Sequence, residues 1–216
     1  MGIHQAFPSA QITGIDIDDQ PEYPFHFLRT DAMKLKMNWI KTFDFIWASP
    51  PCQRYSTMTR INVSKGVKKF EDYPDLFFET KAILISAGKP YCIENVPNAP
   101  FDNTSAQVIE LNGEMFGLKV IRRRRFELGG FWILTPEKLK LRGGVMDGTY
   151  VSVCGHGALN SGTAKKPDWA PNKTGRRTWQ IAMGIDWIWN QRSLAQAVPP
   201  AYSRYIFQGF MNALKK

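Results

Sequence analysis

An apolar strand that runs straight into two prolines constrains this chain more than any other feature. Phe43–Ala48 (FDFIWA), interrupted only by Asp44, meets Ser49-Pro50-Pro51-Cys52-Gln53 with no spacer. Proline fixes φ and lacks a backbone donor, so the strand must stop there and present Cys52 at its carboxyl edge. Two further β-prone runs follow the same pattern. Gln11–Ile17 (QITGIDI) closes around Asp16, and Pro90–Ile93 (PYCI) gives way to Glu94-Asn95-Val96-Pro97. Between the second and third runs, Pro74–Ala87 places Leu76, Phe77, Ala82, Ile83 and Ile85 at helical spacing, with Gly88 as its stop. Strands alternating with helix predict an α/β fold, with β-α-β units around a parallel sheet and function at the carboxyl ends of the strands.

The texture changes after Gly117. Leu118–Leu128 (LKVIRRRRFEL) reads as a strand or hairpin with a basic centre, and from there to Thr178 the chain is rich in Gly, Lys, Arg and Pro without periodicity. Helical spacing returns at Ala201–Leu214 through Tyr202, Tyr205, Ile206, Phe210 and Leu214, with Pro199-Pro200 as its entrance. The expected organisation is a sheet domain over 1–128, a small loop-rich lobe over 129–178, and a segment over 179–216 that returns to the sheet domain.

Charge narrows the partners. Lys and Arg number 28 against 19 Asp and Glu, a net charge of +9, and with 13% aromatics the expected polyanion is nucleic acid rather than a membrane surface. No apolar run approaches the ~18–20 residues of a membrane span, and the N-terminus lacks a secretory pattern, so a cytoplasmic protein is expected. The three cysteines, Cys52, Cys92 and Cys154, form no disulfide framework in that compartment. Cys154 and His156 fall short of a four-ligand set, and no metal is expected.

Three groups of residues could carry chemistry. Cys52 is rigidly presented at the sheet edge, where α/β enzymes keep nucleophiles; an inert thiol in a proline-rich turn is the structural alternative. Cys92, inside an apolar run, reads as core. Glu94 follows a strand and would share the rim with Cys52, able to donate a proton there; a surface acid closing a strand end is its alternative. In Arg122-Arg123-Arg124-Arg125, an extended backbone would put Arg122 and Arg124 on one face and Arg123 and Arg125 on the other. Thiolate, carboxyl and guanidinium together suit addition to C6 of a pyrimidine, which makes C5 nucleophilic toward a one-carbon group.

In this order the residues resemble the DNA cytosine-5 methyltransferase family, and the chain looks closest to its short bacteriophage forms, with restriction-modification as a setting the resemblance implies. Ser49-Pro50-Pro51-Cys52-Gln53 is similar to the family's catalytic Pro-Cys-Gln loop, and Glu94-Asn95-Val96 to its Glu-Asn-Val motif. Val120-Ile121-Arg122-Arg123-Arg124-Arg125-Phe126 resembles Gln-x-Arg-x-Arg-x-aromatic, with Val120 in place of Gln. The resemblance implies a Rossmann-like methyltransferase sheet, S-adenosylmethionine as cofactor, and Cys52, Glu94, Arg122 and Arg124 as catalytic residues. It implies a cofactor set of Asp16, Ile17, Asp31, Ala32, Pro51, Gln196, Ala197 and Val198. Of these, Asp16 would meet the ribose and Asp31 the adenine, and Gln196–Tyr202 resembles the last family motif.

Double-stranded DNA would be the substrate, reached by base flipping. Gln53, Tyr55, Ser56, Arg123, Arg125, Lys165, Lys166, Arg176 and Arg177 form the expected DNA surface. Lys138, Lys140, Arg142 and Lys173 add phosphate contacts in a target-recognition lobe over 129–178, where Trp132, His156 and Trp169 could stack or simply pack.

The family's opening strand and Gly-rich loop have no counterpart here; Met1–Phe7 resembles the helix that follows them. The chain as written is therefore expected to bind S-adenosylmethionine poorly. A late start codon, a separate chain supplying the first strand, and a degenerate DNA-binding remnant are the three accounts of this. A monomer is the expected state. A folate-dependent pyrimidine nucleotide methylase or hydroxymethylase is a further alternative, which uses Cys52 but leaves Glu-Asn-Val unexplained.

Overall fold

Elements form where the apolar pattern predicts them, but several bounds differ. The computed structural model describes residues 1–137, 140–153, 165–172 and 175–215. The chain divides into two compact units, one of Met1–Thr30, Leu111–Arg122 and Ile133–Lys216, the other of Asp31–Glu110 and Arg123–Trp132. Among the described residues no helix is long and apolar enough to cross a membrane.

The second unit is built on a mixed sheet. Its strands are β3 (Ile46–Ala48), β4 (Tyr91–Asn95), β5 (Gln107–Leu111) and β6 (Arg124–Gly129), in the order β3-β4-β6-β5. β3 and β4 run parallel, as expected, with Ile46 opposite Tyr91 and Ala48 opposite Ile93. β6 runs antiparallel to β4, so the sheet is not wholly parallel. Glu94 and Asn95 were expected beyond the third strand, yet they are its last two residues, because β6 supplies backbone partners that extend β4 to the motif. The run Leu118–Leu128 is not one strand: its regular part starts at Arg124, and upstream only an isolated bridge joins Val120 to Val151.

Side chains alternate across this sheet. One face carries Ile46, Ala48, Tyr91 and Ile93 and packs with Phe77 and Leu84 of helix α4 (Phe77–Ala87). Gly88 caps α4 in the left-handed conformation at φ 64°, as the sequence foretells. Gly129 lies under the Tyr91 ring, where a Cβ would stand 2.1 Å from Cε1. The opposite face carries Trp47, Cys92, Glu94, Phe126 and Leu128, with the Trp47 and Phe126 rings edge to face at 5.7 Å. Two short helices, α2 (Met37–Ile40) and α3 (Thr57–Ser64), complete the unit.

The first unit holds a parallel pair, β1 (Thr13–Asp16) with β2 (His26–Arg29), and helices α1 (Gly2–Ala6), α5 (Arg176–Met183), α6 (Gln191–Gln196) and α7 (Pro200–Ala213). Its core joins Val120, Val151 and Val153 to Trp179, Met183, Ile185 and Leu194. Glu22 accepts hydrogen bonds from the backbone of Trp189 (2.6 Å) and Asn190 (3.1 Å), and Asn190 in turn caps α6. Among the described residues between 130 and 175 there is no helix, and the chain there runs through bends and turns.

Candidate active site

Parallel pairing of β3 with β4 brings their carboxyl ends side by side, and each end carries one of the expected motifs. The prolines after β3 can offer carbonyls but no N–H, so the loop needs a donor from outside. Asn95 supplies it: its buried Nδ2 donates to the Pro50 carbonyl at 3.0 Å, while its Oδ1 accepts from Val96 N at 2.9 Å. Asparagine at the middle of Glu-Asn-Val thus ties the strand end to the Pro-Pro-Cys loop. Cys52 is half-buried and caps a 3-10 turn, Gln53–Tyr55.

Glu94 is 6% exposed, and a carboxyl so enclosed needs a partner. Phe126 stands directly opposite it on β6, which puts Arg124 on the same face, at the diagonal distance a long side chain can span. Arg124 Nε lies 2.9 Å from Glu94 Oε1, and its guanidinium also donates to the Arg123 carbonyl at 2.9 Å. Burial of the neighbouring Cys92, with the charges of Glu94 and Glu127 nearby, holds the Cys92 thiol well above its ordinary range. That thiol is core, as its apolar strand suggests.

Arg122 and Arg124 are not strand neighbours, because β6 begins only at Arg124. Arg122 precedes β6, belongs to the first unit, and is almost wholly buried there. Its guanidinium donates to the carbonyls of Val153 (2.5 Å) and Ala195 (2.7 Å), its N–H donates to Asn112 Oδ1 (2.7 Å), and its carbonyl accepts from Tyr202 (2.8 Å).

The other expected residues are distributed as follows. Arg123 pairs with Glu110 at 2.7 Å, and Arg125 stacks on Phe101 at 5.1 Å. Gln53 is exposed, Tyr55 donates to Asp75, and Ser56 caps α3 by accepting from Thr59 N at 3.1 Å. Lys165, Lys166, Arg176 and Arg177 are exposed, with Arg176 stacked on Trp189 at 4.8 Å. Trp132 is 69% exposed, whereas Trp169 packs on the core of the first unit and donates to the Thr149 carbonyl at 3.2 Å. Lys138, Lys173, Cys154 and His156 lie outside the described residues.

The expected cofactor residues belong to both units: Asp16, Ile17, Gln196, Ala197 and Val198 to the first, Asp31, Ala32 and Pro51 to the second. Asp16 ends β1 and accepts from Asp18 N at 3.0 Å and Gln20 Nε2 at 3.2 Å. Asp31 caps a 3-10 turn through Met33 N at 2.9 Å. Half-exposed carboxylates at such positions fit hydroxyl and amine donors, as a ribose and an adenine present them.

Two features escaped the sequence reading. Arg60, Lys65, Lys68 and Lys69 form an exposed basic stretch directly after the Cys52 loop, with Met58, Ile61 and Val67 exposed among them. Its signal was present as four cations without an intervening acid. The second is Asp75, which receives both Arg54 and Tyr55; no local pattern marks it.

No protein-family model matches the chain, and no curated protein does. Solved structures do. A protein described as a DNA modification methyltransferase encoded within an E. coli prophage aligns at TM-score 0.62 and 15% identity, covering 100% of this chain and 95% of that one. The Dnmt2 methyltransferase of S. pombe aligns at TM-score 0.62 and 14% identity, with the same coverage. The Entamoeba histolytica methyltransferase EhMeth aligns at TM-score 0.62 and 13% identity, covering 100% and 96%. The α/β fold of this chain is the fold of those methyltransferases.

Proposed function

We propose that this chain is a DNA cytosine-5 methyltransferase, transferring a methyl group to C5 of cytosine in duplex DNA through a bond between Cys52 Sγ and C6. The observation that carries this reading is the Glu94–Arg124 pair on β4 and β6, one residue from the Asn95 side chain that holds Pro50, two residues before Cys52. A cytosine at that rim offers N3 to the carboxyl and O2 to the guanidinium. Attack of the Cys52 thiolate on C6 opens the C5–C6 double bond as N3 takes a proton from Glu94, leaving electron density at C5. S-adenosylmethionine, when bound, supplies the electrophilic methyl group that C5 takes up. Loss of the C5 proton to a base then lets the thiolate leave, N3 returns its proton to Glu94, and the double bond is restored.

In the first unit Asp16 would hold the ribose, with Ile17 and Gln196–Val198 as further cofactor residues, and in the second Asp31 would hold the adenine, with Ala32 and Pro51. A stacked base is out of reach of Cys52, so the target must be extruded. Gln53, the exposed cations Lys165, Lys166, Arg176 and Arg177, and the stretch from Arg60 to Lys69 would meet the duplex.

Incubation with methyl-labelled S-adenosylmethionine and either duplex DNA or free dCMP tests the proposal. Label should enter the duplex, and a duplex carrying 5-fluorocytosine should trap a covalent complex that Cys52→Ser abolishes. Glu94→Gln should slow methyl transfer by about a hundredfold or more, since an amide delivers no proton. Label in dCMP, or salt-sensitive DNA binding with neither label nor adduct, would overturn the reading.

A further inference from the structure

The thiol loop is held at almost every residue. Asn95 fixes Pro50, and Thr59 Oγ1 donates to the Gln53 carbonyl at 2.6 Å. Arg54 Nε lies 3.1 Å from Asp75 Oδ2, and its guanidinium also donates to the Phe70 carbonyl at 2.8 Å. Tyr55 donates its hydroxyl to the other oxygen of Asp75, and its ring meets Phe77 edge-on at 6.2 Å. Asp75 thus grips two successive residues of the 3-10 turn capped by Cys52, so a shift of that turn moves the sulfur with it. It stands just ahead of α4, which Phe77 and Leu84 root in the core, so the grip is taken from a rigid base.

We propose that Asp75 is a positioning residue for the Cys52 thiol, orienting it through Arg54 and Tyr55; this rests on the reading of Cys52 as the nucleophile. The ion pair is partly open to water, with the Asp75 side chain 35% exposed, and such pairs add little to stability. Its effect should therefore be geometric, and variants should fold. Misplacing a reacting group by about 1 Å can cost up to a hundredfold in rate without weakening binding.

The test uses the full chain with Asp75→Ala and Asp75→Asn; asparagine still accepts from Tyr55 but loses the charge for Arg54. Iodoacetamide alkylation is followed peptide by peptide across pH, with the buried Cys92 reporting on the fold, and kcat and KM for duplex DNA are measured alongside. Asp75→Ala should speed Cys52 alkylation and shift its pH profile while Cys92 stays protected, with kcat falling about tenfold to a hundredfold at an unchanged KM. Asparagine should recover part of both effects. Unchanged Cys52 reactivity and kcat with Cys92 protected would overturn the proposal, as would exposure of Cys92 in both variants, which would make Asp75 a purely structural residue. A wild-type chain that methylates no DNA would sink the proposed function instead, leaving the alkylation arm to decide whether Asp75 holds the loop.

Discussion

Single side chains here take different partners in ways their neighbours do not announce. Arg122 and Arg124 look equivalent in an unbroken run of four arginines, yet one bridges two carbonyls inside the first unit and the other faces Glu94. Periodicity could not separate them, because the strand that would define faces begins between them. Arg122→Ala should accordingly cost about 3 kcal/mol of stability or more, two charge-assisted bonds being removed with their carbonyls left buried. Urea titration would show it, and lysine, with one point donor, should restore less than half. Cys92 gives a pH signature. Its pKa is raised in the fold by desolvation and by Glu94 and Glu127, so the folded state keeps its proton longer than the unfolded chain. That contribution is complete below the ordinary thiol pKa and is lost as pH rises from about 8 toward the folded value. Cys92→Ala should show a shallower decline of unfolding free energy across that range.

Among the elements, what could be read in advance was the existence of β1, β3, β4 and β6 and the stops that follow β3 and α4, whereas β2 and β5 were not foreseen. Prolines after β3 and Gly88 after α4 are local stops, and local stops are legible. Register is not, since it depends on a partner strand far along the chain. That is why Glu94 lies inside β4 rather than beyond it, and why a buried charge on β6 went unforeseen. Glu127 is 0% exposed; it pairs with Lys81 of α4 at 3.0 Å and accepts from Tyr91 at 3.1 Å, tying helix to sheet. Removing one member of such a pair costs about 3–5 kcal/mol, whereas replacing both with apolar residues can be nearly neutral. Lys81→Ala should therefore destabilise strongly, and Lys81→Met with Glu127→Leu much less, as thermal melts of the single and double variants would report.

For the whole molecule, the same fold as three methyltransferases at 13–15% identity means that the layering of elements persists where residue identities do not. No family model matches, and the resemblance rests on short motifs at strand ends. The division into two units was beyond the sequence, because it depends on long-range packing. The net charge of +9 is spread over exposed cations in both units. The duplex binding proposed for this chain should thus weaken steeply with salt, and charge removal at Lys65, Lys68 and Lys69 should flatten the slope by about one for each phosphate no longer neutralised. Strand order has a further consequence, for synthesis on the ribosome. The last strand of the large sheet to be translated, β6, lies between β4 and β5, so β4 is paired on its β3 side alone until residue 129 has emerged. A nascent chain arrested before that point should carry β4 as a bare apolar edge, a natural client for chaperones that the finished protein no longer needs.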